Sequence, residues 1–112
     1  MKPTPYRHLA ALVRQKRESY MTEAAHTARL ASFLRDAHTA TLNSVRIYGW
    51  WELYDLEEIR LAVTSEIEEL RSAFNNRDYH SKHGVIQEAM DCIVVLSKAI
   101  LRMKDMADQG EL

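Results

Sequence analysis

Between Leu9 and Val45, apolar side chains return at steps of three and four residues: Leu9, Leu12, Val13, Tyr20, Ala24, Ala28, Leu34, Leu42 and Val45. A helix turns once in about 3.6 residues, so such steps place these side chains along one face. The pattern predicts a helical N-terminal region over residues 1–47. Thr4 is its expected cap, Pro5 its first helical residue, and a break near Ser19 to Thr22 would divide it into two helices. The periodicity then stops at Tyr48-Gly49-Trp50-Trp51-Glu52-Leu53-Tyr54, where glycine frees the backbone and aromatic rings crowd a short connection.

Two further helices follow. Asp55 precedes Glu58 by three residues, the arrangement in which each side chain satisfies a free backbone N–H at a helix start, and the helix it opens should reach about Phe74. Asn75 to Ser81 has loop composition, and Lys82 to about Ala107 reads as the last helix, with Gly110 beyond its end. So short a loop makes the flanking helices antiparallel neighbours, a hairpin over residues 55–107. With 3 glycines and 2 prolines, both prolines among the first five residues, the chain offers few other breaks. The expected fold is all-α, a single domain over 1–112, as a bundle of three to four helices per chain. A chain of 112 residues buries a modest core, so assembly into a dimer or tetramer is also expected.

Charge and composition narrow the functional classes. Lys and Arg number 15 against 16 Asp and Glu, a net charge of −1, which argues against a general nucleic-acid binder. No stretch has the length of a membrane span, and the first residues lack the apolar block of a signal peptide, so the cytoplasm is the expected compartment. The single Cys92 sits in an apolar run and reads as a small buried hydrophobe.

The chemistry lies in acidic residues three apart. Asp55/Glu58 is explained by capping, and Asp105/Asp108 and Asp108/Glu111 fall in a polar tail. Glu66/Glu69 and Glu88/Asp91 are different. The second pair interrupts Val85 to Leu96, a helix apolar on nearly every side, where carboxylates are costly unless a cation compensates them. At about 1.5 Å of rise per residue, Glu69 and Glu66 lie roughly 7 and 12 Å from the end of their helix, and Glu88 and Asp91 roughly 9 and 13 Å into the next. The two pairs should therefore meet between antiparallel helices. An all-oxygen site of this kind suits Mg²⁺, with Mn²⁺ as a substitute, and Mg²⁺ commonly accepts phosphate oxygens of a substrate. Activation of water and neutralisation of leaving-group charge then make phosphoanhydride hydrolysis the natural reaction.

Glu66-x-x-Glu69, eighteen intervening residues and Glu88-x-x-Asp91, with Leu70 after the first pair and Gly49-Trp50-Trp51 before it, resemble the signature of MazG-like nucleotide pyrophosphohydrolases. The likeness spans about residues 45 to 105. It implies a fold shared with all-helical dimeric dUTPases, and hydrolysis of a nucleoside triphosphate to monophosphate and pyrophosphate near a homodimer or homotetramer interface. Control of the nucleotide pool would be the role. Glu66, Glu69, Glu88 and Asp91 would be the metal ligands, and Glu66 would orient the attacking water. Ser65 stands where many members carry one more acid.

Accessory residues each have a competing structural reading. Trp50, Trp51 and Tyr54 offer π faces for a nucleobase, or plug the core where helices turn. Lys98, two turns beyond Asp91, and Arg77 and Lys82 beside the loop are candidate phosphate contacts, or ordinary surface cations. His80 and His83 border the same loop. Glu23-x-x-His26 is half of a di-iron motif that bundles require twice, and only one copy occurs. Alternatives to the main reading are a phosphoribosyl-ATP pyrophosphohydrolase and a non-catalytic helical oligomerisation module.

Overall fold

The computed structural model describes Tyr6, Arg7, Leu9 and residues 21–112. The Thr4 and Pro5 helix start, and the periodic residues Leu12, Val13 and Tyr20, lie outside the described residues. Among the described residues the protein is all-α, with helices α1 (Glu23–Tyr48), α2 (Leu56–Asn75) and α3 (Val85–Asp108), one 3₁₀ turn (Trp51–Leu53) and no strand. The chain groups into two compact units, Met1–Ala31 and Ser32–Leu112. In the first, Tyr6, Arg7 and Leu9 are helical and α1 begins. The second holds the rest of α1 and the α2–α3 hairpin.

Local chemistry sets each boundary. Thr22 caps α1, its Oγ1 accepting from the Ala25 N–H at 3.1 Å, which fits a helix boundary at the end of the Ser19 to Thr22 stretch. Gly49 closes α1 at φ 96°, a left-handed conformation that glycine adopts without a Cβ clash. The Asp55/Glu58 capping box opens α2, with Glu58 N donating to Asp55 Oδ1 at 2.8 Å and Asp55 N to Glu58 Oε1 at 3.2 Å. Arg77, at φ 53°, ends the α2 segment, and the N–H groups of Arg77 and Asp78 return to Phe74 O and Ala73 O at 3.0 and 3.1 Å.

The last helix starts at Val85 rather than Lys82, because the loop carries its own hydrogen bonds. Asp78 accepts from both the backbone and the hydroxyl of Ser81, and Val85 N donates to Asp78 O at 2.8 Å. Gly84 caps α3 inside this turn. A Cβ there would stand 2.9 Å from Asp78 Oδ1, His80 N and Ser81 N, two of them backbone atoms with little room to yield. Gly84→Ala is therefore expected to cost about 1 to 3 kcal/mol of stability, read from urea unfolding.

Helices α2 and α3 pack on each other, and the 3₁₀ turn packs on α3. Trp51 Nε1 donates to Asp105 Oδ2 at 2.9 Å and Arg102 Nε to Tyr54 O at 2.9 Å, so the aromatic connection is tied to the C-terminal half of α3. The core is thin. Among the described residues Val45, Ala73, Cys92, Val94 and Met106 are the buried apolar ones, and Glu88 is buried as well, at 4% exposure.

Candidate metal centre

The hairpin brings three acids together. One carboxylate oxygen from each of Glu66, Glu69 and Glu88 lies within 4.8 Å of the other two. Glu66 and Glu69 are one turn apart on α2, so they share a face, and Glu88 meets them from the first turn of α3. Asp91 stands beside this group rather than within it: its Oδ1 accepts from the Gln87 amide at 2.9 Å.

Burial makes the cluster expensive. Glu88 Oε2 and Glu66 Oε2 are shielded from solvent and have no hydrogen-bond partner. The other oxygen of Glu88 faces His83 Nδ1 at 3.4 Å, a long contact from a largely exposed ring. Burial, then the charges of Glu69, Asp91 and Glu88, push the Glu66 carboxyl up to about 7. Burial and the Glu69 charge raise Glu88 as well, with His83 opposing them. The nearby Cys92 thiol is raised by burial and the same carboxylates, which suits a packing residue better than a nucleophile.

The donor set fits a hard divalent cation. Neighbouring ligands of one octahedral Mg²⁺, each about 2.1 Å from the ion, stand about 3 Å apart, so side-chain rotations that draw the three carboxylates together would close the set. A cation would also satisfy the two orphaned oxygens, a task otherwise left to protons shared between neighbouring carboxyls.

Two hollows flank the cluster. A groove of about 670 Å³ runs between α1 and the hairpin, with Glu66 and Asp91 at one end and Asn43, Ser44, Tyr54 and Lys98 farther along. A hollow of about 440 Å³ lies on the loop side, lined by Glu69, Glu88, Asp91, Asp78, Asn76 and His83. Of the accessory residues, Trp51, Tyr54 and Lys98 line the groove, whereas Trp50, Arg77 and Lys82 line neither hollow. Trp50 instead sets its ring edge-on to Trp51 at 5.3 Å. Helical periodicity marks the apolar face of α1 and gives no signal for Asn43 and Ser44.

None of the protein families, curated proteins or solved structures compared with the chain matches it.

Proposed function

We propose that this protein is a Mg²⁺-dependent nucleoside triphosphate pyrophosphohydrolase of the MazG-like kind, converting a triphosphate and water to the monophosphate and pyrophosphate. The observation that carries the reading is the convergence of Glu66, Glu69 and Glu88 around two buried, unpartnered carboxylate oxygens, next to a groove of nucleotide size. Glu66, Glu69 and Glu88 would hold the ion, with Asp91 at the margin as a fourth carboxylate. When bound, the ion supplies charge neutralisation for a phosphoanhydride and lowers the pKa of water.

The protein's own groups divide the remaining work. Glu66, the one carboxylate of the three that also lines the groove, is suited to orient the attacking water. The groove, walled by Ile47, Ile59, Val94 and Val95 and faced by Trp51 and Tyr54, suits the flat base of a nucleoside. The loop-side hollow sets the donors Asn76 and His83 among the carboxylates of Glu69, Asp78, Glu88 and Asp91, so it would receive the departing pyrophosphate only with a cation bound.

The chain would work as a homo-oligomer. Leu61, Ile67 and Phe74 on α2 and Ile86, Leu96 and Ile100 on α3 are each more than a third exposed, a supply of apolar surface that a second copy would cover. Sedimentation should then show a dimer or tetramer. The functional test is pyrophosphate release from a panel of ribo- and deoxynucleoside triphosphates with Mg²⁺, repeated with EDTA. Release from at least one nucleotide, abolished by EDTA, is expected. No release from any of them, together with no thermal response to Mg²⁺ or Mn²⁺, would favour the oligomerisation module.

A further inference from the structure

Among the described residues, His83 is the one imidazole that lines the loop-side hollow with Glu69 and Glu88. Its place is set by the backbone. Gly84 N donates to Ser81 O at 2.9 Å and Val85 N to Asp78 O at 2.8 Å, which pins the turn carrying His83 at the start of α3. Glu88 N in turn donates to Gly84 O at 2.9 Å, one helical turn on. The His83 side chain is 80% exposed and that of Glu88 5%, so the ring stands at the mouth of the hollow and the carboxylate deeper in it. Nδ1 of the ring lies 3.4 Å from Oε1 of Glu88. That is long for a hydrogen bond, which brings nitrogen and oxygen to about 2.7 to 3.2 Å. It matches two ligands of one ion: around a tetrahedral Zn²⁺, with each donor about 2.0 to 2.1 Å from the metal, neighbouring donors stand about 3.4 Å apart. The other oxygen of Glu88 is buried and unpartnered, and oxygens of Glu66 and Glu69 lie within 4.8 Å of the same carboxylate. A nitrogen thus borders a centre that the glutamates alone would make all oxygen.

We propose that His83 is a nitrogen ligand of the glutamate centre, which makes it a mixed nitrogen and oxygen site that takes a borderline ion of the Zn²⁺ type more tightly than Mg²⁺. The assignment rests on the reading of Glu66, Glu69 and Glu88 as cation ligands, and not on pyrophosphohydrolase chemistry. Ligand type sets the preference. Mg²⁺ is a hard ion that keeps oxygen ligands and several waters, so it uses the carboxylates and leaves the ring aside. Zn²⁺ accepts imidazole beside carboxylate, and His83 offers it a donor next to its most enclosed oxygen ligand. With Nδ1 on the ion, the ring proton rests on Nε2, so His83 keeps one N–H donor for the hollow. The share of the preference that belongs to the ring is the share lost when the ring nitrogen is removed.

The test titrates the metal-free full chain with Mg²⁺, Zn²⁺ and Co²⁺, each alone, by calorimetry, as wild type, His83→Phe and Glu88→Gln. Phenylalanine keeps a ring without nitrogen at an exposed position, and circular dichroism checks that the helices are kept. Zn²⁺ should bind the wild type more tightly than Mg²⁺. His83→Phe should lose about ten- to a hundredfold in Zn²⁺ and Co²⁺ affinity while its Mg²⁺ affinity stays within about twofold. Glu88→Gln should weaken all three ions. With stoichiometric Co²⁺, the proton NMR spectrum of the wild type should also show a hyperfine-shifted imidazole N–H resonance that exchanges in D₂O and is absent from His83→Phe. Such a resonance requires a ring bound to the ion, so a histidine that only packs on Glu88 does not produce it. Unchanged Zn²⁺ affinity in His83→Phe, equal losses for Zn²⁺ and Mg²⁺, or a shifted resonance that persists in the variant would overturn the assignment. If no ion binds the wild type, the cation reading of the glutamates fails and the ligand role of His83 fails with it. Zn²⁺ binding that needs Glu88 and ignores His83 would end the nitrogen ligand alone.

Discussion

Replacing Glu88 with glutamine is expected to raise the melting temperature of the metal-free protein and to remove its response to Mg²⁺. Glu88 is 4% exposed, and its Oε2 has no hydrogen-bond partner. An ionised carboxylate in that position gives up water and receives only the long His83 contact in return. Glutamine has the same shape without the charge, and its amide can donate to Glu69 instead of repelling it. The residue is covered by its immediate neighbours in a thin chain, so its desolvation is partial. The gain should be about 1 kcal/mol, or roughly 4 °C. The same substitution deprives a divalent ion of its most enclosed ligand, and turnover should fall by about two to three orders of magnitude, as when one charge of a preorganised site is removed. Scanning fluorimetry with and without Mg²⁺, beside a pyrophosphate assay, reads both effects. A variant less stable than wild type without metal would show that Glu88 serves packing rather than a cation.

Stability of the metal-free protein should fall as pH rises from about 4.5 to about 7, and Mg²⁺ should reverse that fall. Glu66 has its carboxyl raised from an ordinary 4.5 to about 7 by burial and by the facing acids. Below 4.5 it is protonated in both the folded and unfolded chains and contributes no penalty. Between the two values the unfolded chain releases its proton while the folded chain retains it, so the unfolded state binds fewer protons and stability declines with pH. Above about 7 the deficit is constant. Glu88, also raised, adds to the same trend. A divalent ion competes with these protons, so its stabilising effect should be large at pH 8 and small at pH 5.5. The difference between wild type and Glu66→Gln isolates the carboxyl contribution. A metal-induced rise in melting temperature equal at both pH values would disconnect the acidic cluster from cation binding.

Asp91 and Lys98 show what spacing along one helix leaves open. Both stand on α3, seven residues apart and on nearly one face, and the spacing of Glu88-x-x-Asp91 makes Asp91 look equivalent to Glu88. In the folded chain Gln87 takes its Oδ1, and the tight three-acid group forms without it. Lys98 meets Ser44, 54 residues away on α1. Neither outcome is written in local spacing.

What the chain determines locally, the sequence shows directly. Helical periodicity, the Asp55/Glu58 capping box, the Gly49 interruption and the pairing of acids three apart depend on neighbours within a turn or two, and a helix repeats every 3.6 residues whatever surrounds it. Tertiary packing decided which carboxylates meet, how far into the loop α3 begins, and which polar residues of α1 face the hairpin. These depend on loop hydrogen bonds such as those of Asp78 and on contacts between helices distant in sequence, whose registers no single helix specifies.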